Sequence, residues 1–200
     1  MFDGKAGLRE KESNGLSDQE KKAIVFLAGF MGSGKSTIGP ILANTLGYEF
    51  VDLDTLIEQR EHEKIGKIFS DKGENYFRSV ERALVTELSQ RPRIVVSLGG
   101  GTIVHQPTLD VVKQQGILIY LKADAEQIYR RLRPKGDRPL LRTPEGVLMD
   151  DEQLKTRINE LLSQRSAFYE QAHIIMHTDD KKIGLTIDTL VHKLRGCLEE

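Results

Sequence analysis

Short apolar runs alternate along the chain with longer stretches in which apolar residues recur at helical spacing. Runs at 23–28 (AIVFLA), 49–52 (EFVD), 93–97 (RIVVS), 117–121 (ILIYL) and 173–177 (HIIMH) have strand length, and most are rich in β-branched residues. Strands of a parallel sheet need such continuous apolar character when helices cover both faces. Helical patterns fall at 35–46, 54–61, 64–71, 73–90, 106–114, 124–132, 150–170 and 181–197. Strand and helix in alternation predict βαβ units and a doubly wound α/β fold. The stretch 133–147 (RPKGDRPLLRTPEGV) carries three prolines, two glycines and several charges, which predicts a long loop between two helices.

Composition narrows the picture. A chain of 200 residues with 38% hydrophobic and 30% charged residues suits one soluble α/β domain, placed here at 23–200. A formal net charge of -1 gives no global reason to expect nucleic acid or an anionic membrane as partner. The apolar runs are far shorter than the roughly 18 residues needed to span a bilayer. Residues 1–22 are polar and charged and lack the apolar region of a secretory signal. They read as a flexible N-terminal extension with a short helix capped by Ser17, Glu20 standing three residues later. The single cysteine, Cys197, has no partner within the chain, so a reducing, cytoplasmic setting is expected.

The first candidate chemistry is GFMGSGKST at 29–37, directly after a predicted strand and before a predicted helix. Gly29 through Ser36 satisfy the G-x-x-x-x-G-K-[ST] phosphate-loop pattern in the context it requires. Glycines at 29, 32 and 34 let backbone N–H groups curl around an anion, and the following helix points its positive end at the same place. Gly32, Ser33, Gly34 and Thr37 would line the phosphates, Lys35 would reach the β- and γ-phosphates of ATP, and the Ser36 hydroxyl would ligate Mg²⁺. Neither the N-K-x-D nor the D-x-x-G pattern of a GTPase occurs in the sequence.

On the acceptor side, Asp52 and Asp54 in FVDLDTLIE would project to the same side of an extended backbone. One carboxylate could serve the Mg²⁺ shell and the other an acceptor hydroxyl; the competing reading makes Asp54 the N-cap of helix 54–61. Arg78 and Glu81 stand three apart on a helix, a spacing that taken by itself is better read as a surface ion pair. Gly99-Gly100-Gly101 end the third strand, either because something approaches that backbone closely or as a flexible turn.

These residues together resemble the shikimate kinase family, over roughly 24–195. The resemblance rests on GFMGSGKSTIG, the DLD pair, Arg78 with Glu81 and Val85, then Val95-Val96-Ser97-Leu98 and the glycine triplet. It implies a P-loop kinase of nucleoside monophosphate kinase-like architecture. That fold is a three-layer α/β/α arrangement with a central five-stranded parallel sheet and a lid at about 133–147. It also implies Mg²⁺-dependent transfer of the ATP γ-phosphate to the 3-hydroxyl of shikimate, in aromatic amino-acid biosynthesis. By the family pattern, Asp54 orients or deprotonates the attacking hydroxyl, and Arg78 and Arg165 grip the shikimate carboxylate. Gly100, flanked by Gly99 and Gly101, contacts the acceptor; Arg138 in DRPLL closes over the phosphates; Asp52 belongs to the outer Mg²⁺ shell. Arg131 matches an adenine-side position, where a helix-surface arginine fits equally. Lys182 stands where the family often has arginine, and a lysine cannot stack as a flat guanidinium does. Small-molecule partners and a monomer are expected. The rival within the same architecture is a gluconate kinase-like enzyme, which need not carry two arginines for a carboxylate.

Overall fold

The computed structural model describes residues 23–133, 147–178 and 182–199. The expected helix at Ser17, Lys181 and nearly all of the expected lid, including Arg138, lie outside the described residues.

Strands form where the apolar runs stand: β1 (Ile24–Ala28), β2 (Glu49–Asp52), β3 (Ile94–Ser97), β4 (Ile117–Lys122) and β5 (Ile174–His177). They make one sheet in the order β2-β3-β1-β4-β5, with every pairing parallel. The chain therefore winds to one side of β1 and then to the other. Open α/β sheets bind their ligands outside the strand carboxyl ends at such a reversal.

The helices are α1 (Lys35–Leu46), α2 (Leu53–Glu61), α3 (Ile65–Leu88), α4 (Gln106–Gln115), α5 (Ala125–Leu132), α6 (Asp151–Tyr169) and α7 (Ile183–Glu199). Alternation along β1 builds the layers. Ile24, Phe26 and Ala28 enter a core shared with α2, α3, α4 and Tyr169 of α6. Val25 and Leu27 enter the opposite core, shared with α1 and α7. Burying each such large side chain stabilises the fold by about 1.5–3 kcal/mol. A third, smaller core gathers Phe30, Ile128, Leu132, Leu154 and Ile158 between α5 and α6. It fixes the residue at which the chain leaves the sheet for the phosphate loop.

Three details differ from the sequence reading. The two helices expected at 64–71 and 73–90 run together as α3, and their division survives as one non-helical residue, Gly73, at φ 80°. A residue without Cβ adopts that conformation freely. Cover on both faces holds for β1 and β3, but β5 is an edge strand: Ile174 and Met176 are buried while Ile175 and His177 are exposed. A short 3-10 turn, Thr102–Val104, follows the glycine triplet and had no signature in the pattern.

Helix α6 starts at a capping box. The Asp150 carboxylate accepts from Gln153 N–H at 2.8 Å, and the Gln153 side chain accepts from Asp150 N–H at 3.1 Å. Such caps stabilise by about 1 kcal/mol, and this one fixes where the turns bearing Arg165 and Tyr169 fall. No helix among the described residues is long and apolar enough to cross a membrane.

Candidate active site

A cleft of about 760 Å³ opens over the carboxyl ends of β1, β2 and β3. The phosphate loop forms one wall. Gly29, Gly32 and Gly34 hold φ of 145°, 83° and 106°, values at which a side chain would be strained. At Gly29 a Cβ would also stand 2.6 Å from the Leu121 carbonyl oxygen. Gly34 caps α1 without a side-chain hydrogen bond, and no acidic residue stands in the first turn, so no side chain there competes with an anion for the positive helix end. Ser33 is fully buried with its hydroxyl unpartnered. Lys35 lies along the loop, donating to the carbonyls of Gly29 at 2.7 Å and Phe30 at 3.3 Å. Ser36 and Thr37 are exposed to the cleft.

The carboxylate pair is arranged differently from an extended i, i+2 pair. β2 ends at Asp52, and Asp54 already lies in the first turn of α2. The N-cap is Asp52, whose Oδ1 accepts from Thr55 N–H at 3.1 Å, so the reading of Asp54 as the cap fails. Both carboxylates still line the cleft, since a helix that starts directly at the strand end keeps its first turn at the sheet's rim. Burial raises Asp54 from the usual 3.8 to about 6; the Asp52 charge adds to the rise and Lys35 opposes it.

Close approach accounts for the two outer glycines of the triplet, while a Cβ at the middle one would make ordinary contact. A Cβ at Gly99 would stand 2.7 Å from Asp54 Oδ1, and one at Gly101 would stand 2.9 Å from Arg78 Nη2. A Cβ at Gly100 would meet Arg165 Nη1 at 3.4 Å. Three consecutive backbone positions thus each face one charged side chain. Arg78, on α3, donates through Nη1 to Glu81 at 2.8 Å and through Nη2 to Glu74 at 3.2 Å. The surface-pair reading fails at Glu81, which is 2% exposed. Arg165 donates to the Gly100 carbonyl at 3.1 Å and lies 5.6 Å over the Phe30 ring. One helical turn later, the buried Tyr169 hydroxyl donates to the same carbonyl at 2.5 Å.

Arg131 is tied behind the phosphate loop rather than spread on the surface of α5. It donates to the Thr178 carbonyl at 2.6 Å and the Gly32 carbonyl at 3.2 Å, while the Thr178 hydroxyl donates to the Ser33 carbonyl at 3.0 Å. Lys182 is exposed, and the cleft wall beside it is formed by Ile183 and Thr186. Sequence reasoning missed Thr102, Thr178 and Tyr169. Tyr169 had a findable signal, one helical turn beyond Arg165; the two threonines had none.

A family profile described as shikimate kinase matches residues 31–195. A shikimate kinase of Chlorobium phaeovibrioides is 44% identical over 176 residues, covering 88% of this chain and 89% of its own length. Another, from Chlorobium chlorochromatii, is 46% identical over 176 residues, with 88% and 93% covered. Shikimate kinase from Bacteroides thetaiotaomicron superposes with a TM-score of 0.80 at 32% identity, covering 86% of this chain and 98% of that one. The Acinetobacter baumannii enzyme, solved in complex with shikimate, gives 0.78 at 31% identity, covering 88% and 95%. A gluconokinase from Sinorhizobium meliloti gives 0.56 at 19% identity, covering 90% and 94%, a likeness of fold alone. A P-loop kinase fold with this much shared sequence leaves one assignment: the chain belongs to the shikimate kinase family.

Proposed function

We propose that the chain transfers the γ-phosphate of ATP to the 3-hydroxyl of shikimate, giving shikimate 3-phosphate and ADP. The observation that carries this reading is the convergence of Arg78 and Arg165, from helices far apart in sequence, on one glycine wall facing Asp54 and the phosphate loop. A ring carboxylate held at that wall would place a ring hydroxyl between Asp54 and the loop. An uncharged polyol would offer no carboxylate for these two guanidinium groups to hold together.

The residues fit ATP and Mg²⁺. The left-handed glycines and uncapped start of α1 make an anion cradle, and the hard oxygens of Ser36 and Asp52 suit Mg²⁺. Asp52 uses Oδ1 as a cap, which leaves Oδ2 for the outer metal shell. When bound, Mg²⁺ would neutralise phosphate charge that builds in the transition state.

Each remaining task falls to this chain. Loop N–H groups of Gly32 to Thr37 bind the phosphates, and Lys35 moves from its carbonyls to the transferring oxygens. Arg78 and Arg165 fix the acceptor carboxylate by paired, charge-assisted hydrogen bonds. Asp54 accepts a hydrogen bond from the 3-hydroxyl and aims it. As the O–P bond forms and the bond to ADP breaks, the hydroxyl proton passes to Asp54 or onward to solvent. A carboxylate near 6 is a better proton acceptor than an ordinary aspartate. Gly100 lies against the acceptor, Arg131 backs the nucleotide side, and the assignments of Arg138 as a third cation and Lys182 near the adenine rest on family resemblance. A cytoplasmic monomer is the proposed state; the exposed thiol of Cys197 suits a reducing compartment.

The test is a coupled assay of ADP release with shikimate, gluconate or no acceptor. Release with shikimate should exceed the other two by orders of magnitude. Equal rates with gluconate would overturn the acceptor assignment.

A further inference from the structure

Glu81 is an almost fully buried carboxylate at the edge of the cleft, and its two oxygens go to different places. Oε2 accepts from Arg78 Nη1 at 2.8 Å, and Oε1 accepts from the Thr102 hydroxyl at 2.6 Å. Thr102 is itself fully buried, in the 3-10 turn that begins directly after the glycine triplet. Its backbone N–H closes that turn onto the Gly99 carbonyl at 3.1 Å. The turn and the glycine wall are therefore one rigid piece, and the Thr102 side chain projects from it toward α3.

A buried carboxylate holds a single orientation only when its oxygens have donors, because an unsatisfied one carries a desolvation penalty. Arg78 alone supplies one point of attachment, about which the Glu81 carboxylate could pivot. The Thr102 hydroxyl supplies the second. The next residue, Ile103, is a buried apolar side chain, and so is Leu98 before the triplet, so burial alone does not call for a hydroxyl at this place. On its outer side Arg78 touches Glu74, whose side chain is 61% exposed and so free to give way to an arriving anion. The inner contact is the fixed one.

We propose that Thr102 is a positioning residue for the acceptor's carboxylate: its hydroxyl locks Glu81, and Glu81 aims the Arg78 guanidinium. The inference rests on the reading of Arg78 as a carboxylate anchor and adds a residue that touches no substrate. Threonine gives this lock without touching the nucleotide side, so its loss should separate the two substrates.

Thr102→Val keeps the shape and removes the donor, Thr102→Ala removes it without setting a methyl against the carboxylate, and Thr102→Ser keeps the hydroxyl. Steady-state kinetics with shikimate and with ATP, alongside circular dichroism, form the measurement. Both donor-less variants should lose about 5- to 50-fold in kcat/KM for shikimate through a raised KM, as expected for one buried bond to a charged group. KM for ATP should stay within about twofold of the parent, since uniform loss of folded protein moves no KM. Thr102→Ser should recover most of the loss. In an Arg78→Lys background the Thr102→Ala effect should shrink toward nothing, the non-additivity expected of a shared chain. The proposal is overturned if Thr102→Val and Thr102→Ala match the parent, if they raise both KM values together, or if serine fails to rescue. Arg78→Lys distinguishes the two levels. If it leaves shikimate use intact, the anchor reading itself fails; if it is damaging while the Thr102 variants are silent, only the positioning role fails.

Discussion

Asp54→Asn should make the enzyme inactive and at the same time more stable. Asp54 is driven from 3.8 to about 6, chiefly by burial and then by the Asp52 charge. A group whose folded pKa lies above its unfolded value stabilises the fold while protonated, and that contribution disappears as pH rises through the folded value. For Asp54 the contribution is complete below 3.8 and gone above about 6. At pH 8 the ionised side chain therefore burdens the ligand-free protein. Roughly two units at 1.36 kcal/mol each set an upper bound of about 3 kcal/mol. An asparagine amide must find its own partners beside Gly99, so a gain of about 1–2 kcal/mol, or about 2–8 °C in Tm, is the realistic expectation. The assay is thermal unfolding of parent and variant without ligands at pH 8 and pH 4.5. The variant should melt higher at pH 8, and the gap should narrow by more than half at pH 4.5, where the folded parent's carboxyl has taken up its proton. Turnover should fall by about 10²- to 10⁴-fold while ATP binding persists. A variant that melts no higher at pH 8, or a gap indifferent to pH, would refute the argument that this carboxylate is held in its charged form against the preference of its surroundings.

Three further outcomes are open to measurement. Gly101→Ala places a Cβ 2.9 Å from Arg78 Nη2, a movable side-chain end, so the fold should survive while KM for shikimate rises and KM for ATP stays put. Lys35→Met removes a charge that rests on loop carbonyls 2.7 and 3.3 Å away, and kcat should drop by about 10²-fold or more with the circular dichroism spectrum unchanged. His173 accepts from Leu118 N–H at 2.9 Å through Nδ1, and burial followed by the Lys113 charge lowers its pKa below 6.5. Its contribution is thus present above 6.5 and lost as pH falls through the lowered value, a loss that works against the Asp54 gain between pH 7.5 and 5.5. In His173→Asn, which keeps an acceptor but does not titrate, Tm should therefore fall less, or rise more, over that range than in the parent.

Legibility in the sequence followed the range of the interaction. Strand runs and helical periods are local patterns, and β1 to β5 and six of the helices fell within two or three residues of where they were read. The start of α2 was misjudged because Asp52 and Asp54 are equally good capping residues; what decides is that β2 hydrogen-bonds through residue 52. The phosphate loop was legible because its chemistry is contiguous. Arg78 and Glu81 could be placed on one helix face, but their burial depends on Thr102 and the glycine wall arriving from β3, which no spacing within α3 encodes. Arg131 looked like any helix arginine for the same reason: Thr178 and Gly32, its partners, come from the far end of the sheet and from the loop. The exposed half of β5 was hidden because sheet order, not composition, makes an edge.

The Phe30 ring is 1% exposed, seated in the small core between α5 and α6, yet its carbonyl receives Lys35 and its face receives the Arg165 guanidinium. On the roles proposed above, one residue thus touches both the cation assigned to the nucleotide and the cation assigned to the acceptor. A cavity opened there, as by Phe30→Leu, would be felt in both halves of the reaction at once. The same position is therefore a poor place to retune preference for either substrate alone, and a sensitive one from which to loosen the whole cleft.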